Sequence, residues 1–89
     1  MQTDSAASQD LGPQAVHDRL IRHEITLVDV REPAEYAAER IPGALLFPLS
    51  SFDPAALPVA GGRPVVLHCG SGKRSATALA ACAAAGIPV

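Results

Sequence analysis

Pro64-Val65-Val66-Leu67-His68-Cys69-Gly70-Ser71-Gly72-Lys73-Arg74-Ser75-Ala76 is the stretch on which the reading of this chain turns. Residues 65–68 form a short apolar, β-branched run behind a Gly-Gly-Arg-Pro turn, the pattern of a buried strand. From Ser75 onward Ala76, Thr77, Ala78, Leu79, Ala80, Ala81, Cys82 and Ala83 make a helix-favouring series. Between strand and helix sit a cysteine, two glycines, two hydroxyls and two cations. Glycines let successive backbone N–H groups turn inward into an anion-binding nest, and a helix start adds orphan N–H groups and a positive dipole end. Such a junction holds an anion or makes one from the thiol. It is read as the functional centre.

Composition bounds the rest. A chain of 89 residues is one domain at most. Apolar residues make up 48% of it, but alanine dominates and aromatics are only 3%. The core must therefore come from Leu, Val, Ile, Phe47, Phe52 and close alanine packing. A net charge of −2 gives no global pull toward nucleic acid or an anionic membrane, so any attraction for anions is local. The chain's one lysine, Lys73, lies in the loop.

Residues 1–10 are polar and have neither a basic n-region nor an apolar h-region, which reads as no signal peptide. No run approaches the roughly 18 apolar residues of a membrane span. Cys69 and Cys82 have no metal-ligand spacing and suggest no disulfide framework. A cytoplasmic protein with free thiols, no metal and no cofactor is expected.

In chain order, residues 1–8 are expected to be a disordered leader, with a short edge strand at 9–11 and the folded domain over residues 9–89. Gly12-Pro13 opens a helix to about residue 22, with Val16, Leu20 and Ile21 at helical spacing. Residues 25–30 are apolar without alternation, as in strands covered on both faces. Arg31-Glu32-Pro33 breaks that strand, and residues 34–39 follow as a short helix with Tyr36 turned inward. A turn at Ile41-Pro42-Gly43 leads to a third apolar run over 44–49, placed at a sheet edge by Pro48. Residues 50–57 offer one short helix around Asp53-Pro54-Ala55, and 58–64 a loop. The last helix ends at Gly86, a good C′ residue. Strands alternating with helices argue an α/β domain with a mainly parallel sheet, whose ligands bind outside the carboxyl ends of the strands. Cys69, Asp29 and Arg31 all lie at such ends.

Three blocks together resemble a rhodanese domain: Asp29-Val30-Arg31-Glu32-Pro33-Ala34-Glu35-Tyr36, then Arg40-Ile41-Pro42-Gly43-Ala44, then Val65 through Ser75. The resemblance covers residues 11–89 and includes the order and separation of the blocks. It implies a three-layer α/β fold around a mainly parallel sheet, and a sulfurtransferase whose cysteine takes up sulfane sulfur as a persulfide. By motif match Cys69 is the carrier; Gly70, Ser71, Gly72, Lys73, Arg74 and Ser75 bind substrate, and Asp29 and Arg31 support the site. Partners would be a small anionic sulfur donor and a thiophilic acceptor, with a protein acceptor as a further option; no nucleic acid and no membrane are expected. Relatives commonly have His where this chain has Arg40. They also continue past Gly-Ile-Pro-Val with a strand, a Gly-Gly turn and a helix, so the domain is expected to be incomplete at its C-terminal end.

The chemistry also follows from the residues. A free thiol has a pKa near 8.5, so only about 3% is thiolate at neutral pH. A helix N-terminus and cations bring such thiols to roughly 3.5–7.5, and a value of about 6.5 would raise the nucleophilic fraction some thirtyfold. Lys73 and Arg74 either attract a donor or tether the loop; the sequence does not apportion these roles. Cys82, within an alanine helix, reads as packed core rather than a resolving thiol. His68 precedes Cys69 on a strand, so its side chain faces the other way and reads as packing rather than general base. Asp29 and Arg31 read as loop-fixing, and His17 and His23 as surface residues.

His-Cys-loop-Arg-Ser also describes cysteine phosphatases, whose loops put five residues between Cys and Arg. Here four residues, Gly70, Ser71, Gly72 and Lys73, separate Cys69 from Arg74. The smaller ring suits one sulfur atom better than a tetrahedral oxyanion. A non-catalytic persulfide carrier or docking module is the alternative from another class.

Overall fold

The computed structural model describes residues 12–70 and 72–89. The expected leader, the edge strand at 9–11 and Ser71 lie outside the described residues. Three parallel strands form the sheet in the order β2-β1-β3: β1 (Thr26–Asp29), β2 (Leu45–Leu46) and β3 (Val65–His68). Helices α1 (Pro13–Ile21), α2 (Pro33–Ala38) and α3 (Lys73–Ala84) alternate with them.

β1 is the central strand, and its sequence shows why. Ile25, Leu27, Val28, Asp29 and Val30 are all buried. Pleating sends neighbours to opposite faces. Val28 and Val30 pack with Leu57, Val65, Cys69, Ala78, Cys82 and Val89, so α3 covers that face. Ile25 and Leu27 instead share an open cleft with Leu20 and Ile21 of α1. Small residues at Ala78 and Cys82 let α3 approach the sheet closely, which substitutes for the large side chains this chain lacks.

The third apolar run does occupy a sheet edge, but only Leu45 and Leu46 form strand. Proline has no N–H to give the ladder, so Pro48 ends regular pairing. The chain nevertheless stays beside β1: Phe47 N donates to Asp29 O (2.9 Å) and Leu49 N to Val30 O (3.1 Å).

The single short helix expected in residues 50–57 is a correction. The chain makes three separate 3-10 turns, Leu49–Ser51, Pro54–Ala56 and Val59–Gly61, the last inside the expected loop. Pro54 and Pro58 prevent their fusion, since each lacks the N–H that a continuous helix would need. Asp53 caps the middle turn by accepting from Ala55 N at 3.0 Å. A second difference matters more. α3 begins at Lys73 rather than Ser75, which brings Lys73 and Arg74 into its first turn. Gly72 stands before it with φ +89°, a left-handed conformation that glycine adopts without a Cβ clash. Gly86 closes α3 as expected: with φ +73° it donates to Ala83 O while Ile87 N donates to Cys82 O, the two bonds of a Schellman motif.

Leu27 is 1% exposed in the strand that everything else packs against. Leu27→Ala is expected to cost about 2–5 kcal/mol, seen as a lower urea midpoint with an unchanged slope. A loss below about 1 kcal/mol would mean that β1 is not the centre of the core.

Candidate active site

Because all three strands are parallel, their carboxyl ends share one edge of the sheet. β3 ends at His68 and delivers Cys69, which is 8% exposed, to the start of α3. Two backbone donors reach its sulfur: Gly72 N at 3.0 Å and Ser75 N at 3.3 Å. The Ser75 hydroxyl lies 3.6 Å from Sγ and donates to Gly72 O at 3.1 Å, bracing the turn. Ser75 N belongs to the first turn of α3, so the positive end of the helix dipole is directed at the sulfur. Of the loop positions named from the sequence, Gly72 and Ser75 supply these two N–H groups.

Arg74 pairs with a carboxylate of α2. Its Nη1 and Nη2 donate to Glu35 Oε1 and Oε2 at 2.6 and 3.0 Å, a two-bond fork between α3 and α2. Glu35 is in turn part of the capping box of α2: Glu32 N donates to its Oε1 at 2.9 Å. The Glu32 carboxylate accepts from Ser50 N and Ser50 Oγ at 3.2 and 2.6 Å, linking the first 3-10 turn to the same knot. Arg74 lowers the Glu35 pKa to about 2 through these hydrogen bonds, with the Glu32 N–H adding to it. The Glu35 carboxylate in turn raises the Arg74 pKa, chiefly through the same hydrogen bonds, and the neighbouring Cys69 and Glu32 also push it up. Sequence reasoning passed over Glu32 and Glu35 as functional positions. The visible signal was the spacing Glu32-x-x-Glu35 around Pro33, a capping-box pattern.

Asp29 and Arg31 pair with each other at the end of β1. Asp29 is fully buried, and Arg31 holds it by Nε to both carboxylate oxygens (3.1 and 3.0 Å), by Nη2 to Oδ2 (2.8 Å) and by its backbone N–H to Oδ1 (2.9 Å). Burial acts to raise the Asp29 pKa, but the Arg31 hydrogen bonds and charge outweigh it and leave the carboxyl lowered. Arg31 also donates from Nη2 to Glu39 O at 2.6 Å, which ties down the far end of α2. His68 is the register partner of Asp29, with Nε2 3.9 Å from Oδ2. Its side chain therefore sits with Asp29 and away from Cys69, in agreement with packing rather than base catalysis. Tyr36 is half-buried; its hydroxyl donates to Ala44 O, and Arg40 lies over its ring at 4.9 Å. Cys82 is fully buried, and burial pushes its thiol pKa up. It lies seven residues beyond Ser75 on α3, about 10 Å along the axis.

The Glu35–Arg74 pair makes an acid-dependent contribution. Glu35 titrates at about 2 when folded, against 4.5 ordinarily. A depressed carboxyl stabilises the folded chain fully above its unfolded value and loses that effect as pH falls toward the folded value. The Tm gap between wild type and Glu35→Gln should therefore be constant above about pH 5 and shrink between about 4.5 and 2. A gap that stays constant down to about pH 2 would overturn this assignment.

Among the described residues no helix is long and apolar enough to cross a membrane, and no group of three or more His, Cys, Asp or Glu could hold a metal ion. The family model for the rhodanese-like domain matches residues 12–89. Along 87 residues the chain is 36% identical to the uncharacterized protein slr1261 of Synechocystis sp., covering 98% of this chain and 49% of that one. It is also 41% identical over 46 residues to the HTH-type transcriptional regulator Rv0324 of Mycobacterium tuberculosis, covering 52% of this chain and 20% of that protein. The chain thus spans half or less of the length of these relatives. With a match that takes in all three strands and the cysteine loop, the chain belongs to the rhodanese-like domain family.

Proposed function

We propose that this domain is a sulfurtransferase in which Cys69 carries the sulfur. The observation that supports it most directly is the pair of N–H groups, from Gly72 and Ser75, aimed at Sγ from the start of α3. Donors so placed favour negative charge on sulfur, and they are fixed before any reaction takes place. The Cys69 thiolate attacks the outer sulfur of an anionic donor such as thiosulfate. A new S–S bond forms to Cys69 as the bond to sulfite breaks, and sulfite departs with the electron pair. The persulfide keeps its negative charge on the terminal sulfur. A thiophile such as cyanide then attacks that sulfur, forms thiocyanate and returns the Cys69 thiolate. This is covalent catalysis in two displacements, with no net redox change and no cofactor required. Asp29 and Arg31 keep the ends of β1 and α2 in place and do not enter the chemistry.

The carrier reading draws on the similarity to a protein named as a transcriptional regulator. It has the same first displacement and lacks the second with small acceptors.

After incubation with thiosulfate, the intact mass should rise by one sulfur, about 32 Da, in wild type and in Cys82→Ala, and not in Cys69→Ser. Release of thiocyanate on adding cyanide supports the enzyme; a stable adduct without turnover supports the carrier. An adduct that survives in Cys69→Ser sinks both. Aryl phosphate hydrolysis above the Cys69→Ser background would replace them with a phosphatase, and the ring of four residues between Cys69 and Arg74 predicts none.

A further inference from the structure

We propose that Glu35 of α2 is a positioning residue for Cys69: it holds the Arg74 guanidinium beside the cysteine loop, and is itself held by Glu32 and by Ser50 of the 3-10 turn at Leu49–Ser51. This rests on the sulfurtransferase reading and goes further by giving the site a support that lies outside the loop and its helix.

Arg74 is the cation through which this support reaches the sulfur, because it and Cys69 attract one another. A Cβ built on Gly70 would meet Arg74 Nη2 at 3.8 Å, so the guanidinium lies against the backbone next to Cys69. Attraction between unlike charges is mutual, so Arg74 held there favours the thiolate over the thiol. A long arginine side chain has many rotamers, and a partner is needed to keep its charge in one place. Glu35 is that partner. It meets the planar guanidinium with both carboxylate oxygens, which fixes direction as well as distance.

Glu35 is anchored in turn. Its Oε1 also accepts from Glu32 N at 2.9 Å. The Glu32 carboxylate accepts from Ser50 N at 3.2 Å and from Ser50 Oγ at 2.6 Å. The turn that carries Ser50 is fixed to the end of β1, where Leu49 N donates to Val30 O at 3.1 Å. A line of hydrogen bonds therefore runs from β1 through Ser50, Glu32 and Glu35 to Arg74. Arg31 also attracts Glu35, but its own guanidinium is bonded to Asp29. The Glu35 and Arg74 side chains are 42% and 34% exposed, so water screens the pair and the effect expected at sulfur is modest.

The sign of that effect separates positioning from plain charge. A carboxylate acting only as a nearby negative charge disfavours the thiolate, and its removal lowers the pH midpoint of Cys69 reactivity. Removal of a positioning residue releases Arg74 and raises the midpoint. The test reads alkylation of Cys69 by neutral iodoacetamide against pH in the full chain, with the adduct located by peptide mass so that Cys82 does not interfere. Glu35→Ala should raise the midpoint by about 0.5–1 unit, which is about three- to tenfold slower reaction below it. Arg74→Ala should raise it at least as much, and the double variant should not exceed Arg74→Ala, since the two residues act as one. Ser50→Ala removes one of the two bonds to Glu32, so it should move the midpoint the same way by less. Ser50→Thr keeps the hydroxyl and should restore it. Ser50 is exposed, so this pair of variants covers the case in which Glu35→Ala does not fold. A midpoint that falls or stays in Glu35→Ala would overturn the proposal, as would a double variant whose shift is the sum of the single ones. Persulfide formation from thiosulfate, followed by intact mass, keeps the two readings apart. If the midpoints move as expected but wild type takes up no sulfur, the positioning role stands and the sulfurtransferase reading fails. If wild type takes up sulfur and the midpoints do not move, the assignment to Glu35 fails alone.

Discussion

β1 is hydrogen-bonded on both sides by parallel neighbours, and this one constraint determines where every chemistry-bearing side chain ends up. Parallel strands cannot be joined by tight hairpins, so each connection crosses over and returns. All three strands then finish at the same edge. Cys69 after β3 and Arg31 after β1 become neighbours of one region although 38 positions separate them (69 − 31). Asp29 and His68, in register across the β1–β3 pair, close the sheet beneath them.

The register alone does not hold a reactive loop in shape. Six residues from Cys69 to Arg74 contain two glycines, and glycine-rich backbone is costly to order. Two devices meet that cost. One is local: Gly72 turns into the left-handed region, and Ser75 binds back to Gly72 O. The other is tertiary: Arg74 reaches across to Glu35, whose capping box is fixed to Ser50. The loop is thus suspended between its own helix and the N-terminus of α2. Both terminal nitrogens of Arg74 take part in this suspension.

The packing shows how a chain short of aromatics builds a core. α3 presents Ala78 and Cys82, both fully buried, to Val28, Val30 and Val65. Small side chains bring helix and sheet together, so area is buried by proximity instead of bulk. Cys82 is therefore a packing residue in a raised-pKa setting, while Cys69, at the open end of the same helix, meets N–H donors. One helix treats its two thiols oppositely because one meets apolar side chains and the other meets the helix start.

Much of this was determined by the sequence itself. The strand at 65–68, the buried strand around 26–29, the edge placement of the run ending in Pro48 and the Gly86 stop are local patterns, and local patterns survive folding. So did the cysteine's place between strand and helix. The site's charge distribution could not be read that way. Glu35 and Arg74 are 39 residues apart, and no periodicity or spacing links them; only the crossover of a parallel sheet puts α2 beside α3. Likewise, whether helix α3 starts at Ser75 or Lys73 hangs on one backbone angle at Gly72 and on where Arg74 finds its partner. The sequence by itself determined where the cysteine loop lies between β3 and α3, because strand, loop and helix signals are local. Only the tertiary structure decided that Arg74 braces the loop through Glu35, because pairing depends on distance in space.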